Sequence, residues 1–312
     1  MSGHSHSHGH DPGPGHEHHG HGHHHHHAAP EDWRYGVGLL VNLVFVAVEF
    51  GFGLISQSTA LVADAGHNLS DVLGLAMAGG AAWLARRAAS RRRTYGFRKA
   101  TVLAALANAV LLIFACGAIA IEAGHRLTAP AEVASSTVMI VAGIGFVLNL
   151  GTAVLFMSAR HHDLNARGAW LHMLADAAVS LGVVFAGGLI FLTGWSWIDP
   201  VVGLLIVAVI LWGTWGLLRE SLDMALDSAP PDVDVDEVQK ALSALPGVVE
   251  AHHLHVWSLS TTERALTVHL VRDDPAPPGF LSETTAMLKA RFGVGHATLQ
   301  VETTGRADCA DC

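Results

Sequence analysis

Charged side chains are scarce in this chain, and their scarcity argues against an ordinary soluble protein. Asp, Glu, Lys and Arg make up 14% of the 312 residues, and 51% of the residues are apolar. Soluble domains carry about 25% charged residues. We therefore expect much of the surface to face lipid. The dense basic run at residues 86–93 lies between two apolar segments, which is typical of a cytoplasmic anchor and not of a nucleic-acid interface.

Cysteine is also rare. The chain has three cysteines, which are too few for a disulfide framework. This indicates a reducing, cytoplasmic setting for the soluble parts. Cys116 lies inside an apolar segment and is expected to be a small buried hydrophobe. The N-terminus lacks the apolar core and cleavage site of a signal peptide. Residues 1–33 are rich in His and Gly, so a disordered cytoplasmic tail is predicted.

Six apolar stretches follow the tail. Each reaches the ~20 residues that a helix needs to cross a ~30 Å hydrocarbon core. The sequence therefore predicts an all-α membrane domain of six transmembrane helices over residues 34–219. Lys and Arg concentrate in the loops after the second and fourth stretches, which places both termini in the cytoplasm. The predicted helices cover residues 34–55, 59–86, 99–123, 134–158, 167–193 and 196–218.

The composition changes near residue 226, where a soluble module begins. Its predicted elements are a helix at 233–244, strands at 251–259 and 265–271, a helix at Phe280–Phe292 and a strand at 297–301. The order αββαβ predicts a C-terminal α+β cytoplasmic domain with its helices on one face of the sheet. We assign this domain to residues 226–305 and a short tail to 306–312.

Two of the predicted membrane helices each carry a His and an Asp four residues apart: His67 and Asp71 on the second, His172 and Asp176 on the fifth. Residues at this spacing share one helical face, so two facing helices present two imidazoles and two carboxylates to one point. That set suits tetrahedral Zn²⁺, and ionisable groups deep in a membrane mark ion paths. Polar groups that only pack the helices together are the alternative. For Asp64, one turn before His67, we favour a hydrogen bond that supports the site over a fifth ligand or a residue on the ion's path.

The ligand types link metal binding to protons. Imidazole binds a metal only when neutral and carboxylate only when ionised, so metal and protons compete for the site. We therefore expect an antiporter that moves Zn²⁺ out of the cytoplasm in exchange for H⁺. Efflux of Cd²⁺, Co²⁺ or Ni²⁺, a metal-gated channel and a metal-sensing membrane protein stay open as alternatives. An intramembrane metalloenzyme is disfavoured, because the sequence has no His-Glu-x-x-His motif.

Three segments of the chain resemble the cation diffusion facilitators: residues 61–72, residues 163–169 leading into His172 and Asp176, and residues 252–258. The resemblance covers about residues 34–303. It implies a homodimeric metal/proton antiporter in the lipid bilayer, with six membrane helices and a metallochaperone-like cytoplasmic domain, here in a bacterial inner membrane. It also implies a preference for Zn²⁺ when both helices carry His-x-x-x-Asp. The arginine-rich loop after the second helix departs from members that bind a second metal there, so no metal site is predicted in it.

Further metal ligands are predicted in the cytoplasmic parts. By resemblance, four residues of the C-terminal domain match family metal positions: His252, His269, His296 and Glu302. Zn²⁺ bound there would be structural or regulatory. Cys309 and Cys312 have the spacing of a metal half-site, which needs partners from elsewhere. The thirteen His residues of the N-terminal tail are interpreted as a weak, unselective metal-capture segment.

Overall fold

A computed structural model describes residues 33–129, 131–157 and 164–304, and it has two parts. The first part consists of long helices, and the second is a small sheet with two helices. The long helices are α1 (Trp33–Ile55), α2 (Thr59–Ala85), α3 (Ala100–Thr128), α4 (Ser135–Met157), α5 (Leu164–Thr193) and α6 (Ile198–Ala225). They correspond one to one with the six apolar stretches predicted from the sequence.

Four segments of these helices are long and apolar enough to cross a membrane, namely Ala100–Thr128, Ser135–Val154, Trp170–Thr193 and Ile198–Ala225. In α1 the described apolar segment is the shorter Leu43–Ile55. Helix α2 is not among the four, and it is the helix that carries Asp64, His67 and Asp71. Large apolar side chains cover the outside of the bundle, as Phe114 at 77% exposure and Trp212 at 85% illustrate. A helical membrane domain is therefore present.

Helix α2 lies at the centre of the bundle, where it contacts α1, α3, α5 and α6. Elsewhere α4 packs along α5, and α3 packs along α6. Small and branched side chains such as Leu61, Ala142, Val183 and Val207 fill the space between the helices. The polar residues in the first half of α2 therefore face neighbouring helices.

The first turn of α2 is fastened to α6 by one buried acid. Asp199, which is 1% exposed, accepts hydrogen bonds from the Thr59 backbone N–H at 2.6 Å, from the Thr59 hydroxyl at 2.7 Å and from the Ser58 hydroxyl. A Cβ on Gly203 would lie 3.1 Å from Thr59, so the two helices approach closely here. These contacts fix where α2 begins and satisfy N–H groups that a helix start leaves open.

The second part has the predicted order αββαβ. Its elements are α7 (Val235–Ser243), β1 (Val248–Ser258), β2 (Arg264–Arg272), α8 (Phe280–Phe292) and β3 (Val294–Thr303). The sheet order is β1-β2-β3, with β1 antiparallel to β2 and β2 parallel to β3. Helix α8 makes the crossover that parallel strands require. Helices α7 and α8 contact each other and share one core with the sheet, which includes Leu242, Leu270 and Leu288.

Candidate metal-binding sites

The four His and Asp residues predicted from the membrane helices lie together where α2 contacts α5. His67 and Asp71 occupy successive turns of α2, and His172 and Asp176 occupy successive turns of α5. Each imidazole Nε2 lies near both carboxylates. The Nε2–Oδ distances are 3.8 Å for His67–Asp71, 3.6 Å for His67–Asp176, 3.3 Å for His172–Asp71 and 3.6 Å for His172–Asp176.

These distances are close to the edges of a tetrahedral coordination shell, with Asp176 offering Oδ1 to His67 and Oδ2 to His172. Zinc bonds to nitrogen and oxygen of ~2.0–2.1 Å give a tetrahedron whose edges are ~3.3 Å long. The four observed distances run from 3.3 to 3.8 Å. The rings of His67 and His172 stand edge to face with centroids 6.2 Å apart, so they converge on the acids without stacking on each other. His67, Asp71 and Asp176 offer ligand atoms that lie within 4.8 Å of one another, and His172 lies near both acids without joining that group. Three ligands are therefore gathered for a small divalent cation, and His172 would have to move closer to His67 to complete a tetrahedron.

The four side chains differ in exposure. The Asp176 side chain is 2% exposed, His67 24%, Asp71 29% and His172 40%. His172 lies one turn before Asp176 and so nearer the start of α5, and Asp71 lies one turn after His67 and so nearer the end of α2. Exposure therefore rises towards the end of the helix bundle where α5 begins and α2 ends.

Further polar groups are buried beside the cluster. Asp64 is fully buried and accepts a hydrogen bond of 2.9 Å from the Ser180 hydroxyl, which ties α2 to α5. Glu49 on α1 is also fully buried, and its carboxylate accepts a hydrogen bond of 3.4 Å from the Asn68 side chain. Glu49 is absent from the site residues predicted from the sequence, although an acidic residue inside an apolar stretch is itself a signal.

A second cluster lies on the sheet of the second part. His252 on β1 is paired in register with His269 on β2, and their ring centroids are 5.2 Å apart. Glu302 near the end of β3 reaches both rings, at 3.5 Å from His252 Nε2 and 2.9 Å from His269 Nδ1. His269 Nδ1 is not aligned for a hydrogen bond at that distance. Three ligand atoms from three strands thus face one point.

A bulge in β1 brings another imidazole to this cluster. The strand pairing shifts register between His252 and His255, and His253 has a φ of 54° there. The His253 ring centroid lies 5.1 Å from that of His269 and 4.6 Å from that of His255. A strictly alternating strand would direct His252 and His253 to opposite faces, so only the bulge explains their proximity.

His296 is not brought to this cluster, contrary to the convergence that the sequence predicts. The strand β3 begins at Val294 instead of residue 297, because its parallel pairing with β2 extends that far and sets His296 beside Ala265. Six residues of strand span ~20 Å, so His296 and Glu302 lie near opposite ends of the strand. The His296 ring instead contacts Tyr95 at 5.4 Å between centroids. Cys309, Cys312 and the N-terminal His residues lie outside the described residues.

Comparison with protein families gives the class of the molecule. A family model for the cation efflux transmembrane domain matches residues 36–224, more than half of the chain. The chain belongs to the cation efflux family. A second model, for the cytoplasmic domain of cation efflux proteins, matches residues 230–304. This cation efflux protein is therefore an integral membrane transporter of metal cations, and the predicted membership of the cation diffusion facilitators is confirmed.

Individual relatives cover most of the chain. This cation efflux protein is 37% identical over 268 residues to the cation efflux system protein CzcD of Alcaligenes sp. (strain CT14), with 85% of each chain covered. It is 33% identical over 274 residues to the zinc transporter ZitB of Escherichia coli, covering 86% of each. It is 31% identical over 277 residues to the cadmium, cobalt and zinc/H(+)-K(+) antiporter of Bacillus subtilis, covering 85% of this chain and 88% of the relative.

A solved structure also matches the C-terminal part. It is the metal-bound C-terminal domain of the CzcD transporter from Cupriavidus metallidurans, 42% identical, with 22% of this chain and 99% of that chain covered and a TM-score of 0.21.

Proposed function

We propose that this protein is a Zn²⁺/H⁺ antiporter that exports zinc from the cytoplasm through a transport site made of His67, Asp71, His172 and Asp176. The observation that carries the proposal is the set of four Nε2–Oδ distances between 3.3 and 3.8 Å. Two helices far apart in sequence supply these atoms, and each distance approaches the edge of a zinc tetrahedron, ~3.3 Å. Two imidazoles that each lie near the same two carboxylates support a shared ion more than two separate His–Asp pairs would.

The same ligands supply the coupling. Zinc binds when both imidazoles are neutral and both carboxylates are ionised, and protons that arrive displace it. The unperturbed pKa of His lies close to physiological pH, so a modest pH difference across the membrane changes the occupancy. The site therefore alternates between a zinc-loaded and a proton-loaded form as it faces one side and then the other. His172, at 40% exposure, marks the open side in this structure.

The ligand set favours zinc over harder cations. Two imidazoles and two carboxylates disfavour Mn²⁺, which prefers oxygen ligands, and they suit Zn²⁺, Co²⁺ and Ni²⁺. The names of the relatives agree, since one is a zinc transporter and another a cadmium, cobalt and zinc antiporter. Zinc is therefore proposed as the main cargo, with Cd²⁺ and Co²⁺ as secondary cargoes.

The topology is proposed from the helices and the basic loops. All of α1 to α6 would span the bilayer, with the first half of α2 buried among its four neighbours, so its polar residues cost less there. Both termini would lie in the cytoplasm of a bacterial plasma membrane, on the side of the arginine-rich loop after α2. The open side of the transport site then faces the cytoplasm, where zinc is loaded. The protein is proposed to work as a homodimer.

A second zinc is proposed in the cytoplasmic domain, held by His252, His269 and Glu302. The three ligand atoms lie within 4.8 Å of one another and come from three adjacent strands. Zinc there would supply a cross-link between β1, β2 and β3. His253 is placed to shield or complete the site. Cys309 and Cys312 are proposed as a further ligand pair at the chain end, and the His-rich tail as a capture segment.

The transport proposal is tested with inverted membrane vesicles that take up zinc under a proton gradient. Asp176→Asn preserves the volume of the carboxylate and removes its charge, so zinc uptake should fall at least about 100-fold, as expected when a metal ligand and not a supporting group is lost. Asp223→Asn, an exposed acid on α6, is the matched control and should transport normally. Uptake of Zn²⁺, Cd²⁺, Co²⁺, Ni²⁺ and Mn²⁺ measured side by side ranks the cargo. Full uptake by Asp176→Asn contradicts the proposal.

A further inference from the structure

A cavity of about 820 Å³ lies between the membrane part and the cytoplasmic domain. Its walls are the last turn of α2, the loop between α2 and α3, the turn between β1 and β2, and the His296 side chain. The described residues that line it include none of the proposed transport or cytoplasmic zinc ligands. It is a separate site, and we call it the interdomain cavity.

The charge of the interdomain cavity is unbalanced. Arg86, Arg87 and Arg98 line it, against the single acid Glu263, which lies 2.8 Å from the Arg98 guanidinium. Within the described parts of the chain, Arg86 and Arg87 form no ion pair. The loop at residues 86–99 holds six Arg, one Lys and no acid. Converging cations repel one another unless an anion lies between them, so the cavity is suited to a negatively charged ligand.

One wall of the cavity belongs to the membrane. Ala82 and Ala85, from the last turn of α2, give that wall an apolar surface. Next to them Trp83 is 62% exposed, and the Arg87 guanidinium lies 4.4 Å from the centre of its ring. Trp is enriched at the level of lipid headgroups, and an Arg beside it reaches for the polar layer. The cavity thus has an apolar edge at the end of α2 and a basic edge along the loop that follows α2.

Both sides of the cavity are held in place by contacts between the two parts. The Lys99 ammonium donates to the carbonyl of Ser258 on β1, at 2.9 Å, and also to that of Met224 on α6, at 2.8 Å. The Thr261 N–H donates to the Thr101 hydroxyl at 3.2 Å. These bonds are made by the end of the loop and by the β1–β2 turn, and they do not involve Arg86 or Arg87.

We propose that the interdomain cavity binds the phosphate of an anionic phospholipid from the cytoplasmic leaflet. The phosphate accepts hydrogen bonds from Arg86 and Arg87, its glycerol end lies against Ala82 and Ala85, and its headgroup reaches His296 and the β1–β2 turn. A lipid bound this way bridges the membrane part and the cytoplasmic domain. The proposal does not depend on zinc transport, since lipid retention is measured without any transport.

The test measures lipid bound to the purified full-length protein by native mass spectrometry. The probe is phosphatidylglycerol, titrated into protein held in a neutral detergent. The double variant Arg86→Ala/Arg87→Ala should bind it at least about tenfold more weakly, the loss of one or more charge-assisted hydrogen bonds. The matched control is Arg91→Ala/Arg92→Ala, which removes the same charge from the same loop at residues that do not line the cavity. This control should bind like the unaltered protein.

The lipid titration and further controls distinguish a specific lipid site from a diffuse basic surface, a site for free anions and a misfolded variant. Equal weakening in both double variants would show a diffuse basic surface and overturn the proposal. Inorganic phosphate that protects the protein against heat as well as phosphatidylglycerol does would overturn the lipid assignment in favour of a free anion. Retained zinc binding and an unchanged elution volume in Arg86→Ala/Arg87→Ala exclude misfolding. If that variant misfolds, Arg86→Gln/Arg87→Gln takes its place, and normal lipid binding by it overturns the proposal.

Discussion

The two His and acid clusters of this transporter differ in what holds their ligands together. In the membrane, α2 and α5 each supply one His and one Asp, and the two pairs meet across a helix contact. In the cytoplasmic domain, the ligands stand on three strands joined by hydrogen bonds in a fixed register. Helices can tilt relative to each other without breaking their internal hydrogen bonds, whereas strands of one sheet cannot. The proposed transport cycle therefore requires movement at the first cluster and none at the second.

The surroundings differ in the same direction. Asp176 is buried beside the fully buried Asp64 and Glu49, so the membrane cluster lies among acids that must be hydrogen-bonded, protonated or neutralised by a cation. The described neighbours of the cytoplasmic cluster include Gln300, which donates a hydrogen bond of 2.9 Å to Glu302. The setting of the membrane cluster is consistent with a site that releases its ion to protons. The setting of the cytoplasmic cluster is consistent with a site that retains its ion.

The largest effect is expected when an imidazole is removed from each cluster in turn. His172→Ala should abolish zinc uptake, a loss of at least about 100-fold, because it deletes a transport ligand. His269→Ala should leave uptake close to normal, because His269 lies on β2 of the separate sheet and contacts none of the transport ligands. Uptake rates in inverted vesicles give the comparison. Equal losses in both variants would erase the functional difference between the clusters.

The second largest effect is expected on the stability of the cytoplasmic domain when its proposed zinc ligand Glu302 is replaced. Zinc at 100 times its dissociation constant stabilises a binding domain by about 2.7 kcal/mol. We expect this stabilisation of the cytoplasmic domain in the full-length protein, and its loss in Glu302→Gln. Thermal unfolding with and without zinc measures it. The exposed Glu250→Gln on β1 is the control and should keep the zinc effect. A zinc effect of normal size in Glu302→Gln would refute the cytoplasmic site.

A smaller effect is expected from the buried acid on α1. Glu49→Gln keeps the size of the side chain and its contact with Asn68 but removes the charge near the transport ligands. Uptake should fall about tenfold, the lower end of what supporting groups around a metal contribute. Glu132→Gln, in the exposed segment before α4, is the matched control. Unchanged uptake in Glu49→Gln would limit the transport unit to α2 and α5.

The sequence predicts the helices better than the strands. The span predicted at 59–86 is Thr59–Ala85 in the structure, because apolar length and turn residues are local properties. The last span, predicted at 196–218, continues to Ala225, since hydropathy detects where lipid ends and not where a helix ends. The third strand, predicted at 297–301, is Val294–Thr303, since its length depends on pairing with β2.

The sequence also predicts the site residues only where their placement depends on local spacing. The His and Asp pairs can be found from the sequence, because a four-residue spacing fixes them on one helical face. The bulge that brings in His253 depends on strand pairing, and so does the distance that separates His296 from Glu302. Asp199 is a further case: its role at the start of α2 arises from a contact across 140 residues of sequence. Local patterns carry no information about such contacts.

The most direct test of the central claim records zinc and protons together in vesicles that contain only this protein. The lumen is made acidic, zinc is added outside, and dyes report zinc entry and proton exit. Competition of zinc and protons for one site predicts that each zinc taken up is matched by protons released. It also predicts that, once zinc stands at the same concentration inside and outside, the pH gradient alone drives net uptake and an ionophore that collapses this gradient stops it. Zinc entry that continues unchanged without a pH gradient, or that moves no protons, would contradict the account.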